Sequence, residues 1–450
     1  MNDARAAADP VAAAARTAPD SALARMRRPL ALWFWAMVVG ALAAAVTTGF
    51  RYALRGVEWT LTRHSGELVS VAKAIAPGER LLVGVAGALA AGLVLRWGLR
   101  WAARGPAGAA NLDYIDAARQ QRVDLNDRVT CVRGLGAMLS IASGASIGRE
   151  GPMIQLAAWG SSLLARVLPL GHQERASLLV GGIAAGMAAA YHAPVAGVVF
   201  VLELALGFMQ ARAVAPVLIA AATSAGLIYW FVAPTPLYTV ATVAAVTRAP
   251  TSLGLALCAG VIFGAIGWAF LHLLELARRV FGRVASPVWR LGLGGLLVGL
   301  ASMAVPEVWG NGYPLVADAL GGAQPWQWLV VLLVAKVLAT AVSSGSGAIG
   351  GVFTPSLCIG ATGGAVLAQL AVLWLPAGLV GDPHALAILG MAAVLAAVTH
   401  APLMAIVMVM EMTNQFQLTV PAMLACGVAY AVSTQFGAEP LYGNPIEALR

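Results

Sequence analysis

The chain has 450 residues, of which 60% are hydrophobic and only 11% are charged. Soluble domains carry about 25% charged residues, so this composition excludes an ordinary soluble protein and predicts an all-α membrane protein with many spans. The net charge of +8 does not indicate nucleic-acid binding. The basic residues lie mostly between apolar runs, where they set topology and meet lipid headgroups.

The first span is predicted to begin near residue 30. Residues 1–29 form an alanine-rich tail that ends in several arginines, and basic residues ahead of a span predict a cytoplasmic N-terminus. Apolar runs then continue to about residue 436, although glycine and proline interrupt several of them before they reach the ~20 residues that a membrane span requires. We expect a first membrane repeat over 30–230, a second over 231–436 and a short cytoplasmic tail over 437–450.

An internal repeat supports this division. Residues 188–203 read AAAYHAPVAGVVFVLE and residues 396–411 read AAVTHAPLMAIVMVME, so histidine, alanine, proline and glutamate recur at one offset. Ahead of them, GREGP (148–152) has a counterpart in GVFTP (351–355) at nearly the same offset. Paired halves of this kind are typical of transporters, whose binding sites lie between the halves at broken helices.

GREGP predicts a helix that starts inside the membrane protein near residue 151. Gly148 and Gly151 allow a tight turn, and Pro152 suits the first helical turn. The free N–H groups and the positive dipole end of such a helix form an anion site. Because a carboxylate is itself an anion, Glu150 could occupy that site and leave it when protonated. The alternative is that Arg149 and Glu150 form a surface pair that merely ends a span.

GVFTP follows the same logic in the second half. The amides of Val352 and Phe353 would point from a second helix start, so that two starts could replace the hydration shell of one anion without a full positive charge. The alternative explanation for the glycines around this motif is close helix packing.

GREGP, GGVFTP and the late PLY (440–442) resemble the signature regions of the CLC family of chloride channels and chloride/proton exchangers, over about residues 31–442. Details such as VWGNGY (308–313) are most similar to the ClcB-type bacterial branch. The resemblance implies a fold of two inverted repeats with broken and tilted helices, a homodimer, and one anion pathway per subunit. It implies that Glu150 is the gate and that the anion-binding positions are Arg149, Gly151, Val352, Phe353 and the hydroxyl of Tyr442.

Two family positions depart from the usual pattern. The serine that usually contributes to the central site corresponds to Ala109, and the inner glutamate of proton-coupled members corresponds to Leu204. Leucine cannot relay a proton, so the usual proton route is expected to be interrupted. Glu203, next to Leu204, and its repeat equivalent Glu411 are expected to be structural, and Arg133 is expected to tune the potential of the pathway.

The resemblance implies chloride-selective transport across the bacterial inner membrane and an electrical shunt in acid resistance, and Leu204 predicts that this transport is channel-like or weakly proton-coupled. The alternative is a coupled chloride/proton exchanger with a non-standard inner proton path. We expect no enzymatic activity, cofactor or metal. The four cysteines lack metal-ligand spacing and are expected to be buried thiols, and His192 and His400 are expected to serve as helix-start caps or packing residues.

Other classes explain less of the sequence. An intramembrane hydrolase built on Ser346 and His400 would lack a carboxylate to orient the histidine, and would leave the paired helix starts unexplained. A transporter of organic zwitterions would need polar partners for both ends of its substrate. Tyr442 and Pro152 argue against the fluoride-selective relatives of the CLC family.

Overall fold

The computed structural model describes residues 22–104, 112–205, 214–232, 235–240, 243, 250–322, 324–374 and 382–443. Within these ranges the regular structure is helical apart from isolated bridge residues. The first nine helices are α1 (Ala22–Thr62), α2 (Leu68–Ala74), α3 (Pro77–Ala102), α4 (Tyr114–Arg119), α5 (Asp127–Ala142), α6 (Glu150–Val167), α7 (His172–Tyr191), α8 (Pro194–Phe200) and α9 (Val214–Phe231). The others are α10 (Pro250–Gly282), α11 (Pro287–Ala304), α12 (Tyr313–Gly321), α13 (Trp326–Gly345), α14 (Phe353–Trp374), α15 (Pro383–Thr399), α16 (Pro402–Thr413) and α17 (Thr419–Gln435).

Eight helices in the described ranges are long and apolar enough to cross a membrane: α1, α3, α9, α10, α11, α13, α14 and α17 with the turn before it. Large apolar side chains cover their outward faces. Tryptophans are exposed near several helix ends, as at Trp101, Trp230, Trp289 and Trp374, which suits the boundary between lipid and water. The chain is therefore a multi-pass membrane protein, as its composition predicts.

The repeat that is visible in the sequence reappears in the helices. Both α7 and α15 end at a histidine with left-handed backbone, His192 (φ 56°) and His400 (φ 55°). Proline then starts α8 and α16 two residues later. The two histidines thus end the preceding helices and pack edge-to-face against Tyr229 and Tyr430. Of the two roles expected for them, packing is confirmed and capping of the next helix start is wrong. The left-handed turn redirects the chain, so proline can start a new helix at an angle.

The repeats are joined by a reciprocal exchange of caps. The Glu203 carboxylate accepts hydrogen bonds from the N–H groups of Leu403 (3.2 Å) and Met404 (2.7 Å) at the start of α16. The Glu411 carboxylate accepts from Val195 (3.1 Å) and Ala196 (2.8 Å) at the start of α8. Each glutamate thus satisfies free amides of the other repeat, which is the structural role that the sequence predicts for both.

Glycine packing does explain part of the glycine content. Gly360 on α14 and Gly390 on α15 lie so close that a methyl group on either residue would clash with the carbonyl of the other. The glycines of the GREGP and GGVFTP turns serve a different purpose, described below.

The cysteine expectation is wrong for two of the four residues. Cys358 and Cys426 are buried, whereas Cys131 and Cys258 are exposed. Hydropathy does not separate a lipid-facing position from a core position, because both surroundings are apolar.

Candidate anion-binding site

The two repeated turns meet through a two-hydrogen-bond bridge. The Gly148 N–H donates to the Gly351 carbonyl at 2.6 Å, and the Gly351 N–H donates to the Gly148 carbonyl at 2.8 Å. Helix α6 begins two residues after Gly148, and α14 begins two residues after Gly351. This bridge brings the positive ends of two helices, one from each repeat, to one place.

Two cavities reach this bridge. The outer cavity has a volume of about 360 Å³ and is lined by Arg149, Glu150 and Asn311, among others. The inner cavity has a volume of about 300 Å³, and its lining includes Gly151, Val352, Tyr442 and Arg133. The predicted positions are thus brought together but divided between two cavities. Phe353 lines neither of them and packs against the ring of Tyr191, with ring centroids 5.0 Å apart.

The side chain of Glu150 is buried at the inner end of the outer cavity. Its Oε1 accepts a hydrogen bond from Asn311 Nδ2 at 2.7 Å, and its Oε2 has no hydrogen-bond partner among the described residues. A methyl group at Gly148 would clash with Oε2, so glycine is needed there to seat the carboxylate. One neutral donor therefore contacts the carboxylate directly, while the cations Arg51 and Lys336 attract it without a direct ion pair.

Asn311 is positioned by a buried lysine. The Lys336 ammonium donates to the carbonyls of Val308 (3.1 Å) and Gly310 (2.7 Å), and the Asn311 Oδ1 accepts the Tyr313 N–H at 3.1 Å. The second repeat thus positions the side-chain amide of Asn311, which binds the Glu150 carboxylate of the first repeat. Sequence reasoning missed Asn311 and Lys336, because neither repeats in the other half of the chain.

Tyr442 is held from the inner side by Arg119. The guanidinium donates to the carbonyls of Tyr442 (2.7 Å) and Leu204 (3.0 Å). Desolvation raises the pKa of the Tyr442 phenol well above its ordinary value, so its hydroxyl stays protonated and can donate to an anion. Leu204 itself is buried in a π-helical turn, Val201–Ala205.

A second phenol lies beside the first. Tyr114 lines the inner cavity together with Tyr442. Ala109, where the family serine is missing, lies outside the described residues. A lone tyrosine at the start of a six-residue helix carries no sequence signal, so Tyr114 was not predicted.

The family model for voltage-gated chloride channels matches residues 86–434. The chain belongs to the CLC family. It is 42% identical over 416 residues to a ClcB-like chloride channel protein of Ralstonia nicotianae, covering 91% of this chain and 95% of that protein. It is 38% identical over 410 residues to the voltage-gated ClC-type chloride channel ClcB of Escherichia coli, covering 90% and 96%. These relatives confirm the resemblance to the ClcB-type branch.

Solved CLC structures share the fold. A slow cyanobacterial Cl⁻/H⁺ antiporter superposes with a TM-score of 0.78 at 24% identity, covering 91% of this chain and 96% of the antiporter. A CLC-type fluoride/proton antiporter superposes with a TM-score of 0.72 at 26% identity, covering 90% and 96%. The expected CLC-type fold of two inverted repeats is confirmed, and the protein belongs to a family of membrane anion channels and transporters.

Proposed function

We propose that this CLC protein carries chloride across the bacterial inner membrane as a homodimer with cytoplasmic termini. In this proposal each subunit has one pathway, Glu150 is its gate, and proton coupling is weak or absent. The observation that carries the proposal is the buried Glu150 carboxylate, which a single neutral amide holds beside two converging helix starts.

The gate would work by exchange of one anion for another. When Glu150 is protonated, its oxygens lose their attraction for the positive helix ends and the side chain leaves, so chloride can take its place. On the inner side, Tyr442 offers a neutral hydroxyl and Val352, just before α14, offers its amide. Because partial charges and no full charge contact the ion, it binds weakly enough to be released.

Leu204 and Arg119 support the absence of strong coupling. An aliphatic side chain that is 3% exposed stands where coupled relatives carry a proton acceptor, and a guanidinium is bonded to its carbonyl. A fixed positive charge there opposes proton entry.

The inner cavity favours one alternative, a coupled chloride/proton exchanger. This cavity of about 300 Å³ extends to Gly151, the residue after Glu150. Water in such a space could carry protons toward the gate without an inner glutamate.

Chloride efflux from liposomes, recorded together with external pH, decides between the two. A weakly coupled protein shows chloride efflux with little proton movement, and its reversal potential at fixed chloride does not follow a pH gradient. A fixed ratio of protons to chloride would establish the exchanger. Glu150→Ala is expected to remove the pH dependence of efflux but not permeation.

Glu67 provides a matched control for the gate. It is a carboxylate that lines the same outer cavity, 4.0 Å from Arg149 Nη2, but it precedes the seven-residue helix α2 and neither of the two helices whose starts the bridge joins. Glu67→Ala should keep the pH dependence that Glu150→Ala removes. Equal pH responses of the two variants and the wild type would refute the gate.

We further propose the role of an electrical shunt in acid resistance, supported by the similarity to the ClcB branch. Acid survival of a strain lacking the gene should be restored by the wild type. A variant that reaches the membrane but is inactive in efflux should fail to restore it.

A further inference from the structure

A third cavity, of about 740 Å³, adjoins the inner cavity and is lined by four arginines from three helices: Arg96 and Arg100 of α3, Arg133 of α5 and Arg290 of α11. No aspartate or glutamate lines it, and none of the four makes an ion pair within the described ranges. Four guanidinium groups that share one open space repel one another unless an anion joins them. We call this space the arginine cavity.

The wall of the arginine cavity also has other features suited to an anion. Ser286 precedes the 18-residue helix α11, and its buried Oγ has no hydrogen-bond partner in the part of the chain that the structure describes. The first-turn amides and the positive dipole end of α11 lie beside it. One turn later, the Nε of Arg290 donates to the Ser346 carbonyl at 3.1 Å, which fixes the guanidinium and leaves its other N–H groups available.

We propose that the arginine cavity binds a phosphate group, either the headgroup of an anionic phospholipid or a soluble phosphate. Its volume is far larger than a single chloride needs. Guanidinium groups match the paired oxygens of phosphate through bidentate hydrogen bonds. Leu95, Leu99 and Leu291 also line the cavity, and such apolar walls beside basic groups suit a lipid more than an inorganic ion.

Exposed tryptophans place the cavity at the depth of lipid headgroups. Trp97 and Trp101 on α3 and Trp289 on α11 are exposed beside it, and exposed tryptophans mark the membrane–water boundary. Basic pockets between membrane helices at that depth bind anionic lipid headgroups.

Occupancy would also reach the chloride route. Arg133 and Ile349 line both the arginine cavity and the inner cavity. A bound phosphate would offset the positive potential of Arg133, and chloride would be less concentrated at the inner side. This consequence rests on the proposed function, whereas the binding does not.

Binding can be measured on the purified full-length protein by native mass spectrometry, with phosphatidylglycerol as the probe and phosphatidylcholine as its zwitterionic control. The double variant Arg96→Gln/Arg100→Gln should lose affinity for phosphatidylglycerol about 25-fold, about fivefold for each arginine near the headgroup. The matched control is Arg279→Gln/Arg283→Gln, which removes two exposed arginines that do not line the arginine cavity and should bind as the wild type does.

A thermal-shift titration with inorganic phosphate, in lipid-free detergent, separates the two sources. A shift with inorganic phosphate that is lost in Arg96→Gln/Arg100→Gln identifies a soluble ligand, and selective phosphatidylglycerol binding without such a shift identifies a lipid. The proposal is overturned if both double variants lose the same affinity for phosphatidylglycerol. It is also overturned if the protein shows neither a preference for phosphatidylglycerol over phosphatidylcholine nor a thermal shift with inorganic phosphate. Phosphatidylglycerol should also slow chloride efflux of the wild type more than that of Arg96→Gln/Arg100→Gln. Mass spectrometry and the thermal shift measure binding without transport. A protein that did not carry chloride would therefore still give a positive or negative result for phosphate binding.

Discussion

Replacing Asn311 by leucine tests whether its amide holds the gate closed. In the described part of the chain, Asn311 Nδ2 makes the one hydrogen bond that the Glu150 carboxylate accepts, at 2.7 Å. A donor bonded to a carboxylate stabilises the ionised form over the protonated one. Without it, protonation and release of Glu150 become easier, so chloride efflux should persist to higher pH.

The expected shift follows from the charge on the acceptor. A hydrogen bond to a charged group contributes about 1.5–3 kcal/mol, and one pH unit corresponds to about 1.4 kcal/mol. The midpoint of the pH dependence of efflux should therefore rise by about one to two units in Asn311→Leu. Asn311→Asp should shift it further. The aspartate still offers an acceptor to the Tyr313 N–H, but it repels the ionised Glu150 and no longer donates to it.

The assay is chloride efflux from liposomes over a pH series, with Asn311→Leu also made in the Glu150→Ala background. If the amide acts through the gate, its replacement should have no effect once Glu150 is absent. A midpoint that stays in place or falls in Asn311→Leu would refute the reasoning. An equal change in both backgrounds would show that Asn311 acts on permeation directly.

Three further predictions address the bridge, the inner donor and the exchanged caps. Gly148→Ala should make efflux nearly independent of pH, because its methyl group displaces the Glu150 carboxylate. Gly151→Ala is the control and should keep the pH dependence, because its methyl group would lie 3.4 Å from the nearest atom. Tyr442→Phe should weaken chloride binding by about 0.5–1.5 kcal/mol, or roughly two- to tenfold, as measured by calorimetry in detergent; unchanged affinity would exclude its hydroxyl from the site. Glu411→Ala should lower the free energy of unfolding by about 1–3 kcal/mol, since it leaves two amides at the start of α8 unsatisfied, and a melting temperature equal to that of the wild type would contradict the capping role.

Features with a local cause could be predicted from the sequence. The helix starts after GREGP and GVFTP follow from glycine in the turn and proline in the first turn, and α6 begins at Glu150, one residue from the predicted position. The hydrogen bond from Asn311 to Glu150 could not be predicted, because Asn311 lies 161 residues from Glu150 along the chain. Its alignment depends on Lys336, a lysine within an apolar helix that sequence alone does not connect to the gate.

Three of the full positive charges near the pathway share one arrangement. Lys336 donates to two backbone carbonyls, Arg119 donates to the carbonyls of Leu204 and Tyr442, and Arg149 faces Glu67 at 4.0 Å. These contacts direct the charges to oxygen atoms of the protein, while amides and phenols face the space that an anion would enter. A lysine or arginine in direct contact would bind chloride more strongly at low local dielectric and slow its release. The same charges, while bonded to protein oxygens, still raise the local anion concentration, so attraction and rapid release need not oppose each other in this pathway.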